Sequence, residues 1–163
     1  MLPSTHIMLT LDHNPPVMLL AHFSASYPGL SISWMLPAPE RSVWVAGALA
    51  AGDSFSIVAP DLESRAVFDL ISARHKNTLR ARPLPRWARY PAAVALLLEQ
   101  RGLSLCGANM VFMGTEPSGP RYEHAIGMAF AAFWYEVYGM PCAAPSLVDL
   151  VDQAQREYVA ERV

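Results

Sequence analysis

The residues best placed for chemistry lie where an apolar stretch, Leu103 to Met113, runs through Gly114 into the turn Glu116-Pro117-Ser118-Gly119-Pro120. A long apolar helix is predicted directly after it, over roughly 122–138, and Gly139-Met140-Pro141 ends that helix. Such a junction gathers free backbone N–H groups at the positive end of a helix dipole, which is the chemistry of phosphate binding. The junction could be a working transfer site, a weaker anion site using Arg121, His124 and the remaining amides, or a purely structural turn; the last reading is the plainest. Other reactive side chains form no comparable group. His6, His13, His22, His75 and His124 make no i,i+4 pair on one helix and no H-E-x-x-H, and Cys106 and Cys142 belong to no C-x-x-C pair. Neither a metal centre nor a disulfide framework is therefore expected. No serine stands in G-x-S-x-G, so a hydrolase triad has no local support.

Composition bounds what can surround that junction. Of 163 residues 53% are apolar and only 16% charged, which excludes a disordered chain. The longest strongly apolar run, Ala125 to Tyr135, has 11 residues, short of the roughly 18 a membrane-spanning helix needs. No membrane partner is expected. So much apolar surface in one domain implies a very full core, a second domain or a partner. Twelve basic and 14 acidic side chains leave a formal charge of −2, which gives no global field for holding nucleic acid. The N-terminus, Met1 to His6, has no basic stretch ahead of an apolar one, so no signal peptide is expected, and a cytoplasmic address with reduced thiols is the default. Half the basic residues cluster: Arg74, Lys76, Arg80, Arg82, Arg86 and Arg89. The stretch Ser72–Arg86 also carries Pro83 and Pro85 and no apolar period, so it reads as a solvated or mobile connector, or else as an anion-binding patch.

The elements that must position the junction follow from periodicity. The first 70 residues read as β-rich, with an apolar run at Val17–Phe23 and alternation over Ser31–Leu36. Val43–Ala50 and Ser54–Ala59, separated by Ala51-Gly52-Asp53, read as an antiparallel hairpin. Helical spacing of Tyr90, Val94, Leu97 and Leu98 predicts a helix over Trp87–Arg101, closed by Gly102. The 122–138 helix is apolar on all sides, which marks it as buried between layers. Ser146, with Asp149 three residues on, is a candidate N-cap for a last helix to about Arg162. Strands followed by a helix, a strand and two more helices predict an α+β fold over 1–163, a sheet with helices on one face.

Trp87-Ala88-Arg89-Tyr90, Leu103–Gly114, Pro117-x-Gly119, the apolar helix and the closing stretch near Gln155–Tyr158 together resemble the galactokinases of the GHMP kinase superfamily. Asp12-His13-Asn14-Pro15-Pro16-Val17 is similar to the end of the family signature G-E-H-T-D-Y-N-x-G-x-V, and Phe68-Asp69-Leu70 also fits the family's order. The resemblance implies the N-terminal domain of those kinases, a two-layer βα sandwich like domain 2 of ribosomal protein S5. It also implies a phosphate loop at Gly119, Arg121, Tyr122, Glu123 and His124, with ATP and Mg²⁺ as the ligands a family member would take, and sugar contacts at Asp12 and Asn14. The plainer reading of Asp12 is a turn residue before two prolines.

Both motifs depart from the family pattern. The phosphate loop P-x-G-[AG]-G-L-S-S-S-A is here Pro117 to Ile126, which keeps Pro117 and Gly119 and replaces the three serines by Glu123, His124 and Ala125. Pro120 lacks an N–H to donate. Glu123 would oppose each unit of phosphate charge by roughly 3 kcal/mol at about 5 Å and an effective dielectric near 20. Leu9 and Thr10 stand at the Glu and His of the substrate signature. The family's catalytic aspartate belongs to a motif expected beyond Val163, so no catalytic residue is assigned. These departures imply a degenerate, non-catalytic binding or regulatory module. The alternative is one half of a sugar or small-molecule kinase that needs another chain for its C-terminal domain. Either way, the face that domain would cover implies a homodimer or a partner chain.

Overall fold

The computed structural model describes residues 15–160. Five strands form one mixed sheet: β1 (Trp34–Pro37), β2 (Val43–Ala50), β3 (Phe55–Ala59), β4 (Ser64–Phe68) and β5 (Gly107–Gly114), in the spatial order β1-β2-β5-β3-β4. Helices α1 (Leu19–Ser26), α2 (Leu70–Arg74), α3 (Arg86–Gln100), α4 (Pro120–Val137) and α5 (Ala144–Ala154) complete the fold, and a wider π-helical turn, Gln155–Val159, extends α5.

β5 is the axis of the sheet. It pairs antiparallel with β2 from Val43↔Gly114 to Ala50↔Gly107, and parallel with β3 from Phe55↔Ala108 to Val58↔Val111. The expected hairpin between Val43–Ala50 and Ser54–Ala59 therefore does not form, because β5 runs between the two. The backbone accounts for this: the 51–54 turn gives its carbonyls to the start of β5, with Gly107 N–H on Gly52 O at 2.9 Å and Ala108 N–H on Ser54 O at 3.2 Å. A strand covered on both faces gains more from two neighbours than a local hairpin gains from one. The hairpin that does form joins β3 to β4 through a 3₁₀ turn at Pro60–Leu62.

Helices α3, α4 and α5 lie over one face, around a core that includes Phe55, Phe68, Phe112, Phe130, Phe133 and Trp134. As its all-round apolar sequence predicts, α4 is enclosed: every residue from Ala125 to Tyr135 is buried. Its rings stack edge-on, Phe55 against Phe130 at 6.2 Å and Phe133 against Trp134 at 5.3 Å.

The opposite face is not bare. Val17–Phe23, expected within a β-rich region, enters a helix instead, and Leu19 and Phe23 of α1 pack on Trp44, Ala46, Val111 and Met113. Burial at 19 and 23 with exposure at 17, 18 and 20 is the i,i+4 pattern of a helix, which an unbroken apolar run conceals. Two further boundaries shift. Helix α5 starts at Ala144 with Pro145 in its first turn and no side-chain cap, so Ser146 lies inside the helix; proline's fixed φ presets that turn without a capping hydroxyl. The 72–86 stretch begins in α2, whose N-cap Asp69 and Ser72 form a reciprocal capping box, and continues as a hydrogen-bonded turn with an Asn77↔Pro83 bridge. Ala73 and Leu84 within it are buried while 79–83 are exposed, so the stretch is solvated but held in place by backbone hydrogen bonds.

Among the described residues no helix is long and apolar enough to cross a membrane. Because α4 supplies the central layer, Phe130→Ala is expected to cost about 3–5 kcal/mol, the range for losing a fully enclosed ring. Urea denaturation followed by far-UV circular dichroism measures it; a loss below about 1 kcal/mol would show that α4 is not the enclosed layer described.

Candidate functional site

The sequence-predicted junction sits at the C-terminal end of β5, where the chain leaves the sheet, turns over 115–119 and enters α4. Gly119 is the helix N-cap at φ 128° and ψ −163°, a backbone region open in practice only to glycine. Its carbonyl accepts the Glu123 N–H at 3.0 Å. Pro120 occupies the first helical position, where its fixed φ is suited and a missing N–H costs nothing to the helix.

A side chain from another loop determines the shape of this turn. Arg41, between β1 and β2, grips Glu116 bidentately, Nε on Oε2 at 2.9 Å and Nη2 on Oε1 at 2.7 Å. The Ser42 N–H also donates to Glu116 Oε2, at 2.9 Å. Arg41 Nη2 further donates to the Arg121 carbonyl at 2.6 Å, and Nη1 meets His124 Nδ1 at 3.0 Å. A guanidinium can only donate, so Nδ1 must be the accepting nitrogen, and the proton of the neutral ring sits on Nε2. Nε2 then donates to Asp152 of α5 at 2.9 Å. The relay Glu116–Arg41–His124–Asp152 thus ties two loops to two helices.

The remaining loop residues separate into two directions. Tyr122 turns inward, fully buried, and its hydroxyl donates to Asp61 of the 3₁₀ turn, which also accepts the Gly114 N–H at 3.0 Å. Burial, and then the Asp61 hydrogen bond and charge, push the Tyr122 hydroxyl far above its ordinary pKa. Glu123 stays at the surface, where Arg86 Nε meets its Oε1 at 3.0 Å. Arg121 is exposed and has no ion-pair partner among the described residues. Outside the relay, Arg41, Tyr90, Pro120, Arg121, His124 and Gln155 line an open cavity of about 390 Å³.

Of the residues singled out in the sequence, Gly119, Arg121 and His124 therefore share one locality, Tyr122 lies beneath it, and Glu123 is beside it on Arg86. Asp12 and Asn14 lie outside the described residues. Tyr90 was read only as a core position of its helix and as part of the Trp87–Tyr90 motif; Arg41, Asp61 and Asp152 were not singled out, each comes from a distant segment, and no local motif marks any of them. Among the described residues no group of three or more His, Cys, Asp or Glu could hold a metal ion.

Glu116 titrates in the clamp's favour. Burial pushes its carboxyl up, but the hydrogen bonds from Arg41 and the Ser42 N–H, with the Arg41 and Arg121 charges, outweigh this and hold it below the ordinary 4.5. A carboxyl depressed in the folded state contributes stability that is complete above 4.5 and is lost as the pH falls through the lower folded value. Glu116→Gln is accordingly expected to cost about 2–3 kcal/mol near neutral pH, the worth of charge-assisted bonds to a part-buried group. It should also flatten the decline in stability below pH 4.5. Urea denaturation of both proteins across that pH range is the check; parallel pH profiles would dissociate Glu116 from the acid limb.

No protein-family model matches the sequence, and no curated protein matches it. Solved structures do. A galactokinase of Lactococcus lactis complexed with galactose aligns with a TM-score of 0.59 at 13% identity, over 76% of this chain and 32% of that one. The mevalonate kinase of Methanococcus jannaschii aligns with a TM-score of 0.54 at 10% identity, over 71% and 36%, and another mevalonate kinase structure with 0.53 at 11%, over 71% and 37%. The fold is thus that of the GHMP kinase N-terminal domain, and the chain spans about a third of the length of those kinases.

Proposed function

We propose that this domain is a galactokinase-like, GHMP-kinase-type module whose phosphate loop no longer binds nucleotide productively, and that it acts by binding rather than by phosphoryl transfer. The observation that carries the reading is the Arg41–Glu116 clamp: the turn at the head of α4 already holds a carboxylate of its own, gripped by the guanidinium closest to it. A triphosphate with Mg²⁺ does not suit the residues present. No hydroxyl stands at positions 123–125 to ligate a metal, Pro120 offers no N–H, and Glu123 places a second carboxylate in the first helical turn. Arg86 offsets that charge only in part, because the pair is solvent-exposed on the arginine side. Exposed Arg121 and the cavity beside His124 leave room for a weakly held anion, and no step of catalysis is derived through it.

The shared fold with kinases supports a second reading, in which the domain is one part of a sugar or small-molecule kinase that needs a C-terminal domain from another chain. Calorimetric titration with ATP and Mg²⁺ separates the two. The degenerate-loop reading expects no saturable binding tighter than about 1 mM, roughly −4 kcal/mol, whereas micromolar affinity would overturn it and favour the second.

The domain is further read as a homodimer or as one member of a complex. Exposed Val17, Met18 and Leu20 on and before α1, with Leu30 just beyond it, support an apolar contact face. Light scattering coupled to sizing at tens of micromolar is expected to give at least twice the chain mass, with a contact burying on the order of 1,000 Å² or more. A sharp monomer at that concentration would refute the homodimer.

A further inference from the structure

The second concentration of chemistry lies away from the junction. Between Asp69 and Arg89 the chain carries six of its twelve Lys and Arg side chains but one of its fourteen Asp and Glu. Backbone bonds make this stretch a fixed projection. Leu79 N–H reaches Val67 O of β4 at 2.9 Å, Leu84 N–H reaches Lys76 O at 2.9 Å, and Thr78 N–H reaches Arg82 O at 2.7 Å. Thr78 Oγ1 also accepts from the N–H groups of Arg80 and Arg82, at 3.2 and 3.3 Å. Lys76 and Ala81 both hold left-handed φ, at 59° and 62°, so the turn keeps its shape against local preference.

Most charges here are committed. Asp69 caps α2, Arg74 pairs with Glu99 at 3.0 Å, Arg86 pairs with Glu123, and Lys76 Nζ donates to the Tyr158 carbonyl at 2.6 Å. Arg80 and Arg82 are exposed, with no ion-pair partner among the described residues. Beside them two aliphatic side chains stand in water, Ile71 at 66% and Leu79 at 48% exposure. Both line a shallow groove of about 310 Å³, with Asp69, Ser72, His75 and Thr78 among its walls; the Asp69 carboxylate there accepts from the Ser72 N–H, and Arg80 and Arg82 stand outside the groove on the same turn.

We propose that this projection docks an acidic protein segment bearing aliphatic side chains. Arg80 and Arg82, without an ion-pair partner among the described residues, set the sign of the occupant, and Ile71 on α2 with Leu79 on the turn set its apolar character. Among the described residues the His75 imidazole is the only ring on the groove wall, with no Phe, Tyr or Trp beside it, and Ile71 and Leu79 offer aliphatic contact instead, so a protein segment fits better than RNA. The proposal does not depend on the state of the phosphate loop.

Fluorescence anisotropy tests it on the full chain, with a labelled glutamate-rich peptide carrying two leucines as probe. Saturable binding is expected that weakens roughly tenfold or more in Arg80→Glu/Arg82→Glu, and with added salt. Leu79→Ser, or replacing the probe's leucines by serine, should each weaken it by a similar factor of about ten. These positions are exposed, so unchanged thermal unfolding confirms that the variants are folded. Binding that ignores Leu79 and the probe's leucines would reduce the surface to plain charge attraction and overturn the proposal. So would a labelled oligouridylate, or ATP, that occupies the same arginines more tightly than the peptide.

Discussion

The double engagement of β5 is the constraint from which the remaining geometry follows. One edge runs antiparallel along all of β2 while the other runs parallel to β3, so the strand cannot slide without breaking two ladders at once. Its last residue is therefore fixed against β2. A Cβ on Gly114 would lie 2.0 Å from the Ser42 carbonyl oxygen, and that carbonyl accepts the Thr115 N–H at 2.9 Å. This close approach delivers Glu116 to Ser42 and Arg41 and points the next turn at the head of α4.

Magnitudes then decide what shapes the turn. A helix N-terminus favours a nearby anion by about 0.3–1 kcal/mol at an exposed position. A bidentate, part-buried arginine–carboxylate contact with a further backbone donor exceeds that, since each charge-assisted bond contributes about 1.5–3 kcal/mol. Glu116 accordingly goes to Arg41 and the backbone of Ser42, not to the amides of α4, and Arg41 aligns His124 as a neutral ring between itself and Asp152. Tyr122 is held down from the other side by Asp61. The junction is thus set by contacts between side chains far apart in sequence, with the dipole as a minor contributor.

That explains which parts were legible in the sequence. Helices α3 and α4 could be read from spacing because each buries a face, or in α4 every face, against its own neighbours. The place of the junction was legible for the same local reason, whereas Gly119 entered only through the family resemblance and its positive φ is seen only in the structure. Pairing partners were not: Ala51-Gly52-Asp53 is a sound turn signal, yet it joins strands that β5 separates, and no local pattern encodes a strand arriving from more than fifty residues later. Val17–Phe23 was ambiguous because exposed apolar residues on α1 erase the contrast that reveals a helix. Arg41, Asp61 and Asp152 stayed invisible because their roles exist only once the sheet has brought their loops together.

The shortage of charge noted in the sequence takes on a structural meaning from this arrangement. With so few ionic side chains, an uncommitted one is informative. Around the junction Arg41 and Arg86 are engaged by Glu116 and Glu123, and the apolar majority is absorbed by a sheet covered on one face by three helices and on the other by α1. Most of what remains over lies at two places, apolar side chains around α1 and aliphatic groups on the 69–84 projection, where Arg80 and Arg82 have no ion-pair partner among the described residues; Leu49 and Tyr138 are exposed elsewhere. A core that simply had too much apolar residue would leave such groups scattered. Six of the eight exposed large hydrophobic side chains among the described residues fall at these two places, one of them braced by its own backbone bonds, and that clustering is what supports reading them as contact surfaces.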